Sequence, residues 1–271
     1  MAMKSETILP RQVNRRIGQA MQAYSMLSHG DCVLVAVSGG VDSLVLAWLL
    51  QMWLKKAPIQ YTLRVVHIDM GFRGQGDGGI SPVEEIRRQL HRFGIPLVVK
   101  QVRETGETQA IAEVSLSPCL PDSVLPIPLI DKDQPERSCF LCSRQRRHQL
   151  FDLAREYGCN KIAFGHHKDD LIETLFLNMF YSGNLSTMVP RQDLFDGRLT
   201  LIRPLAYIEK HEVQDIAVTL GLVPVDNLCP LAGNTRRDHL RKMLHTLYQQ
   251  NPGVKASIFA AMANVREGYL L

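Results

Sequence analysis

The chain has no apolar run approaching the roughly 18–20 residues that a membrane-spanning helix needs. Its opening stretch, Met1 to Arg16, is polar and lacks the apolar core of a secretory signal. The expectation is a cytoplasmic protein with no membrane partner. A strong charge excess is also missing: 31 Lys and Arg oppose 27 Asp and Glu, for a formal net charge of +4. That balance permits a nucleic-acid partner without requiring one. No internal repeat is found, which excludes solenoids and propellers. The one close cysteine pair, Cys139-x-x-Cys142, has no second pair to match it, so the usual closed zinc site of four thiolates is excluded. The glycine turn that follows the first apolar run lacks a Gly-Lys-[Ser/Thr] ending, so it is not a Walker A loop.

What remains is an ordinary globular composition, 45% hydrophobic and 21% charged over 271 residues, enough for one large α/β domain with an appendage. The glycine turn is Ser38-Gly39-Gly40-Val41-Asp42-Ser43. It follows the apolar run Val33 to Val37 and precedes a second, Leu44 to Leu54. Strand, glycine turn and helix start make a phosphate cradle: backbone N–H groups approach an anion closely and the helix N-terminus adds its positive end. In a bland βα turn, Asp42 and Ser43 would be helix caps. Beside phosphates a bare carboxylate repels, so Asp42 is expected to hold a metal ion or move a proton.

The periodicities predict a helix over 11–27, a buried strand over 32–37 and a helix over 43–55. A strand over 61–69, a helix over 84–93 and a strand over 96–100 follow. Beyond a proline-rich loop over 116–137, which holds Cys119, a helix is expected over 143–157 and a strand over 161–164. An apolar helix over 171–181, a fifth strand over 199–202, a helix over 212–220 and a partly basic helical segment over 229–270 complete the pattern. This β-α-β-α-β order predicts an α/β fold: a parallel sheet with helices on both faces and a helical C-terminal extension. The expected organisation is a basic helix over 1–28, a nucleotide-binding α/β domain over 29–225 with an insertion over 116–142, and a helical segment over 226–271. Ligands in such sheets bind beyond the carboxyl ends of the strands, where Ser38 to Ser43, His67 and Asp69 fall.

A second strand-to-helix junction, Gly165-His166-His167-Lys168-Asp169-Asp170, carries acidic residues in its first turn. Asp170 and Glu173 are spaced to share a helix face, and with Asp42 they are expected to coordinate Mg²⁺ on a nucleotide. Of six cysteines, Cys32 and Cys159 adjoin apolar strands and read as small core residues. The pair Cys139 and Cys142 is expected just before a helix, where the dipole and nearby arginines would lower its thiolate pKa. By itself such a pair fits zinc, a redox disulfide or an iron–sulfur cluster. Cys229 supplies one further thiol. Basic residues cluster at Arg144, Arg146 and Arg147 and again at Arg236, Arg237, Arg241 and Lys242. They are either solvated helix faces or contacts to RNA phosphates.

Taken together, these segments resemble the PP-loop, or N-type ATP pyrophosphatase, family. Within it they are most similar to the tRNA-thiolating branch and its 2-thiocytidine synthetases. The resemblance is carried by Ser38 to Ser43, by Cys139-x-x-Cys142 with its trailing arginines, by Gly165 to Met179, by Ile202-Arg203-Pro204-Leu205 and by Asn227-Leu228-Cys229. It implies ATP-dependent adenylation of the C2 oxygen of a tRNA pyrimidine and its replacement by sulfur. The implied ATP contacts are Ser38, Gly39, Gly40, Asp42, Ser43, His67, Gly165 and His166, with Asp42 and Asp170 as catalytic or Mg²⁺-binding carboxylates. The implied ligands of a [4Fe-4S] cluster are Cys139, Cys142 and Cys229. The implied partners are tRNA, a sulfur donor (a cysteine desulfurase or free sulfide) and a second copy of the chain. Asp226 stands where the 2-thiocytidine enzymes carry another cysteine, and Cys229-Pro230-Leu231-Ala232 is similar to a motif of the 2-thiouridine branch. The alternatives are therefore a 2-thiouridine synthetase or a zinc-stabilised nucleotide-binding regulatory module.

Overall fold

The computed structural model describes residues 9–72, 80–102, 135–226, 228–231, 235–266 and 268. Cys119, Asn227 and nearly all of the proline-rich loop lie outside the described residues.

Six strands form one sheet: β1 (Cys32–Ala36), β2 (Thr62–Asp69), β3 (Leu97–Gln101), β4 (Lys161–Ala163), β5 (Arg191–Leu194) and β6 (Leu199–Ile202). Their order is β3-β2-β1-β4-β6-β5. The first five are parallel and β5 runs antiparallel against β6. The strands after β1 step first to one side, through β2 and β3, and then to the other, through β4 and β6. The reversal falls between β1 and β4, and in open sheets of this kind that is where the ligand crevice opens.

Alternation along β1 explains the two layers. Val33 and Val35 point to one face and Leu34 to the other, as the pleat requires. The first face is covered by α1 (Arg11–Ala23), α2 (Val41–Lys56), α3 (Pro82–His91) and α6 (Lys210–Leu220), with Ile17, Leu46, Leu50, Leu90 and Val213 at the centre. The predicted N-terminal helix thus buries its apolar stripe in the main core. The second face is covered by α4 (Pro135–Glu156) through Leu150 and Leu153. A third cluster joins α5 (Lys168–Tyr181) to α7 (Arg236–Gln250), with Ile172, Leu240 and Leu244 buried, and α8 (Val254–Ala261) packs beside them. Cys159 is buried, Cys32 is half-buried, and their sulfurs lie 2.7 Å apart at the amino end of the sheet.

Two expectations need correction. β5 had no counterpart in the sequence pattern. Its residues, Arg-Gln-Asp-Leu, lack apolar alternation because it is an edge strand whose Arg191–Asp193 pair faces solvent. The helix expected from 143 begins at Pro135, so Cys139 and Cys142 lie inside α4 and not ahead of it.

Candidate functional site

The loop after β1 closes on itself before it touches anything else. The Ser38 N–H donates to Ser43 Oγ (3.1 Å), and the Ser43 hydroxyl donates to the Gly40 carbonyl (2.8 Å). Gly39 has φ +94°, a left-handed conformation that glycine adopts without strain. A Cβ there would stand 3.1 Å from Ile86 and 3.3 Å from Val225. The Gly39 carbonyl accepts from the Val225 N–H at 3.0 Å, which ties the segment leading to Cys229 onto the loop. That segment is also pinned to α3, where the Gln89 amide bonds both the N–H and the carbonyl of Val223 (3.0 and 3.1 Å).

The turn after β4 packs on this loop from the other side of the reversal. A Cβ on Gly165 would lie 2.8 Å from the Asp42 backbone, so only glycine lets the two turns meet. The result is a cleft of ≈ 1560 Å³ at the carboxyl edge of the sheet. Ser38, Gly40, Asp42, Ser43, His67, Gly165, His166 and Asp170 all line it. Gly39 lies behind the wall, in the turn itself.

The two carboxylates are brought together by a residue that sequence reasoning passed over. His167, 4% exposed, places Nε2 3.8 Å from Asp42 Oδ2 and 3.4 Å from Asp170 Oδ2. Asp170 also accepts from the His167 N–H at 3.0 Å. Lys210, from the start of α6, holds both oxygens of Asp42 at 2.8 and 2.7 Å. Its own N–H donates to Asp169 (2.8 Å), which is paired at 2.6 Å with Lys255. Burial pushes the Asp169 carboxyl up, but Lys255 and the Lys210 N–H outweigh it and hold it below the usual range. Lys210 and Lys255 lie far from Asp42 in sequence and sit in no motif, so only the topology reveals them.

Glu173 is corrected. It is buried, and its two oxygens accept a fork from Arg241 at 2.8 and 2.9 Å, with Arg237 3.7 Å away. Its burial against Arg241, away from the cleft wall, removes it from the expected Mg²⁺ set. Of that set, Asp42 and Asp170 line the cleft.

At His67 and His166 the surroundings favour the neutral ring. Burial depresses His67, whose Nδ1 donates to the Val37 carbonyl at 2.8 Å. Burial also drives His166 down to about 4, with Arg203, Arg237 and His167 adding to the effect and Asp170 opposing it. His166 stacks on Phe164 with ring centroids 5.5 Å apart.

The thiols adjoin the cleft without lining it: Phe140, Ser143 and Leu228, their neighbours in sequence, form part of its wall. Cys139, Cys142 and Cys229 are all half-buried. Cys139 and Cys142 are one turn apart on α4, and the charge of Cys229 is felt at Cys142. Among the described residues no three His, Cys, Asp or Glu side chains converge as a preformed metal site. The expected lowering of thiolate pKa is reversed at Cys142: burial raises it, Arg146 lowers it, and burial wins. The cause is the helix start at Pro135, which carries the pair inward past the first turn. Arg146 also depresses His67, so its charge is felt at both His67 and Cys142, and its buried Nε has no hydrogen-bond partner among the described residues.

Arg144, Arg146 and Arg147 line the cleft. In the C-terminal cluster, Arg237 also lines it and bonds Thr174 (3.1 Å), Arg236 lies 4.6 Å over the Tyr181 ring, and Lys242 is exposed. Arg241 is engaged by Glu173, which reduces the free charge of that cluster.

Residues 9–117 and 123–247 match the model of the PP-loop domain family. The chain belongs to the PP-loop family. Relatives of this PP-loop chain extend over almost its full length. A protein of Citrifermentans bemidjiense named tRNA-cytidine(32) 2-sulfurtransferase is 33% identical, covering 96% of this chain and 92% of the relative. The protein of the same name from Geotalea uraniireducens is 33% identical over 100% of this chain and 98% of its own. Among solved structures, the U34-tRNA thiolase NcsA from Methanococcus maripaludis with its [4Fe-4S] cluster superimposes with a TM-score of 0.67 at 21% identity, over 96% of this chain and 81% of that one. At that identity the likeness speaks for the PP-loop fold.

Proposed function

We propose that this PP-loop protein is an ATP-dependent tRNA sulfurtransferase that converts a cytidine to 2-thiocytidine. The observation that carries the reading is the end-to-end similarity, 33% identity over 96% of the chain, to relatives named tRNA-cytidine(32) 2-sulfurtransferase. The cleft supports it, with a phosphate loop in its wall and three half-buried thiols next in sequence to residues that line it.

In this reading Ser38 to Ser43 hold the pyrophosphate of ATP through backbone N–H groups and the α2 N-terminus. Asp42 and Asp170 hold Mg²⁺, and neutral His67 lies beside the adenosine. The base C2 oxygen attacks the α-phosphate, pyrophosphate leaves, and sulfide then displaces AMP from C2, AMP carrying the oxygen away. Fixed charges at the loop stabilise the departing pyrophosphate. Arg144, Arg146, Arg147, Arg236, Arg237 and Lys242 meet RNA phosphates, and Arg241 serves chiefly to anchor α7. Cys139, Cys142 and Cys229 form a donor set suited to a [4Fe-4S] cluster: three thiols, two on one helix turn and the third near enough to be felt by Cys142. When bound, such a cluster supplies an iron without a protein ligand to carry sulfur. The sulfur donor is a cysteine desulfurase or free sulfide. The working form is a cytoplasmic homodimer.

The test is mass spectrometry of tRNA nucleosides from cells lacking this protein. 2-Thiocytidine should vanish and return with the wild-type chain but not with Cys229→Ala. Loss of 2-thiouridine would assign the protein to the other thiolating branch. An unchanged nucleoside profile, with zinc in place of iron in anaerobically purified protein, would support a regulatory module.

A further inference from the structure

Arg203 follows β6 in the Arg-Pro-Leu turn and lines the cleft, yet it is only 5% exposed. Among the described residues no carboxylate lies within ion-pair distance of it. A buried cation without a counter-charge is costly, so its surroundings must offer something in return. Two of its donors are committed inside the protein: Nη1 to the Val189 carbonyl, and Nε to His166 Nδ1 at 3.3 Å. A guanidinium has no lone pair to offer and can only donate. His166 Nδ1 must therefore be the acceptor, which places the ring proton on Nε2 and excludes the doubly protonated ring. The Arg203–His166 contact thus fixes a tautomer by chemistry alone.

His166 is also well placed. It directly follows Gly165, whose Cα packs on the Asp42 backbone, and it shares the cleft wall with Asp42 and Ser43. The charged and titratable groups around it are Asp170 on α5, His167 at the α5 N-cap, Arg237 on α7 and Arg203 after β6. Burial and the three neighbours other than Asp170 all favour the neutral ring. A neutral N–H donor beside the phosphate loop suits a phosphoryl oxygen, and the uncompensated Arg203 charge behind it suits an anion.

We propose that Arg203 is a positioning residue: it locks His166 as a neutral Nε2–H donor to a phosphoryl oxygen of the nucleotide, and its own unpaired charge strengthens anion binding at that end of the cleft. This deepens the reading of the cleft as an ATP site and rests on it. RNA backbone phosphates are the competing occupant. The burial of Arg203 favours the nucleotide, since the residue is 5% exposed and its guanidinium is bonded to His166, out of reach of a backbone passing over the surface.

The experiment measures Mg²⁺–ATP and inorganic pyrophosphate binding by calorimetry without tRNA, tRNA binding without ATP, and the His166 ring by NMR titration. Arg203→Met and His166→Asn should each weaken Mg²⁺–ATP and pyrophosphate by about tenfold or more, and the double variant should be little worse than either, as expected for groups acting as one unit. Arg203→Lys keeps the charge but cannot serve both acceptors. It should fold, melt near the wild type and still lose ATP affinity, which guards against misfolding of the Met variant. In the wild type the ring should stay neutral through pH 5, with its proton on Nε2, and in Arg203→Met it should titrate at higher pH. The proposal is overturned if all variants bind Mg²⁺–ATP like the wild type, if the loss falls on tRNA instead, or if the wild-type ring protonates above pH 6. Failure of the thiolation reading would look different: ATP binding would respond as described while the wild-type protein produced no thiolated nucleoside.

Discussion

Single atoms decide whether the cleft exists. Gly165 is the sharpest case, because a Cβ there would meet the Asp42 carbonyl carbon and oxygen at 2.8 Å. Gly165→Ala should push the two turns apart, cost about 1–3 kcal/mol as an overpacked contact, and weaken Mg²⁺–ATP binding by more than it lowers stability. Urea unfolding and calorimetry on the same preparation would separate the two effects. His166 carries a second consequence. Its folded pKa lies at about 4, below the ordinary 6.5, so the unfolded chain takes up the proton first. The stability that this neutral ring represents is complete above pH 6.5 and drains away as pH falls toward 4, to a total of up to about 3 kcal/mol. Unfolding free energies measured between pH 7 and pH 4.5 should show the slope, and His166→Asn should flatten it. The depressed carboxylates Asp169 and Glu209 act in the same direction but lower, below the ordinary carboxylate range, so the two contributions separate on the pH axis.

Elements show which parts of the sequence were readable and which were not. The β1–loop–α2 unit was plain, because a buried strand, two glycines and an apolar helix leave little else to build. The thiols were visible by spacing, yet their electrostatics were not. The pattern over 143–157 marked only the part of α4 that packs on the sheet, and the earlier turns that carry Cys139 and Cys142 inward have no apolar period to betray them. Glu173 failed for a related reason: its position on α5 matched a metal ligand, but its partner, Arg241, arrives from α7. That contact is now a prediction about how α5 and α7 hold together. Glu173→Ala leaves Arg237 without its carboxylate and Arg241 with Asp238 alone (3.5 Å), and breaking a buried pair costs about 3–5 kcal/mol; because Arg241 is 55% exposed and keeps Asp238, a loss of about 2 kcal/mol is expected. Thermal melting should fall accordingly, and amide exchange should quicken first in α7. No change in either would remove the pair from any structural role.

Across the whole molecule the charge is nearly balanced, at +4, but its placement is not. Four cleft-lining arginines, Arg146, Arg147, Arg198 and Arg203, have no carboxylate partner among the described residues, while Asp42, Asp169 and Glu209 are tied up with Lys210, Lys255 and Lys168. If RNA enters there, its affinity should fall steeply with salt. Replacing Arg146 and Arg147 with alanine should lower the slope of log affinity against log salt by roughly 0.7–0.9 for each phosphate that is no longer neutralised. Filter binding between low and moderate salt would check this, and an unchanged slope would return these residues to the status of a solvated face.

The fit of Gly165 against the loop also acts as a filter on sequences. A chain can acquire Ser-Gly-Gly-x-Asp-Ser by a few substitutions, and many strands end in something similar. Bringing a second turn onto its backbone at van der Waals contact demands a bare Cα at a position more than a hundred residues downstream, next to a ring that must carry its proton on one nitrogen. Imitation of the loop is cheap, whereas imitation of the surface it rests on is not. For the cleft to form as it does here, the glycine opposite the loop is as much a requirement as the loop itself.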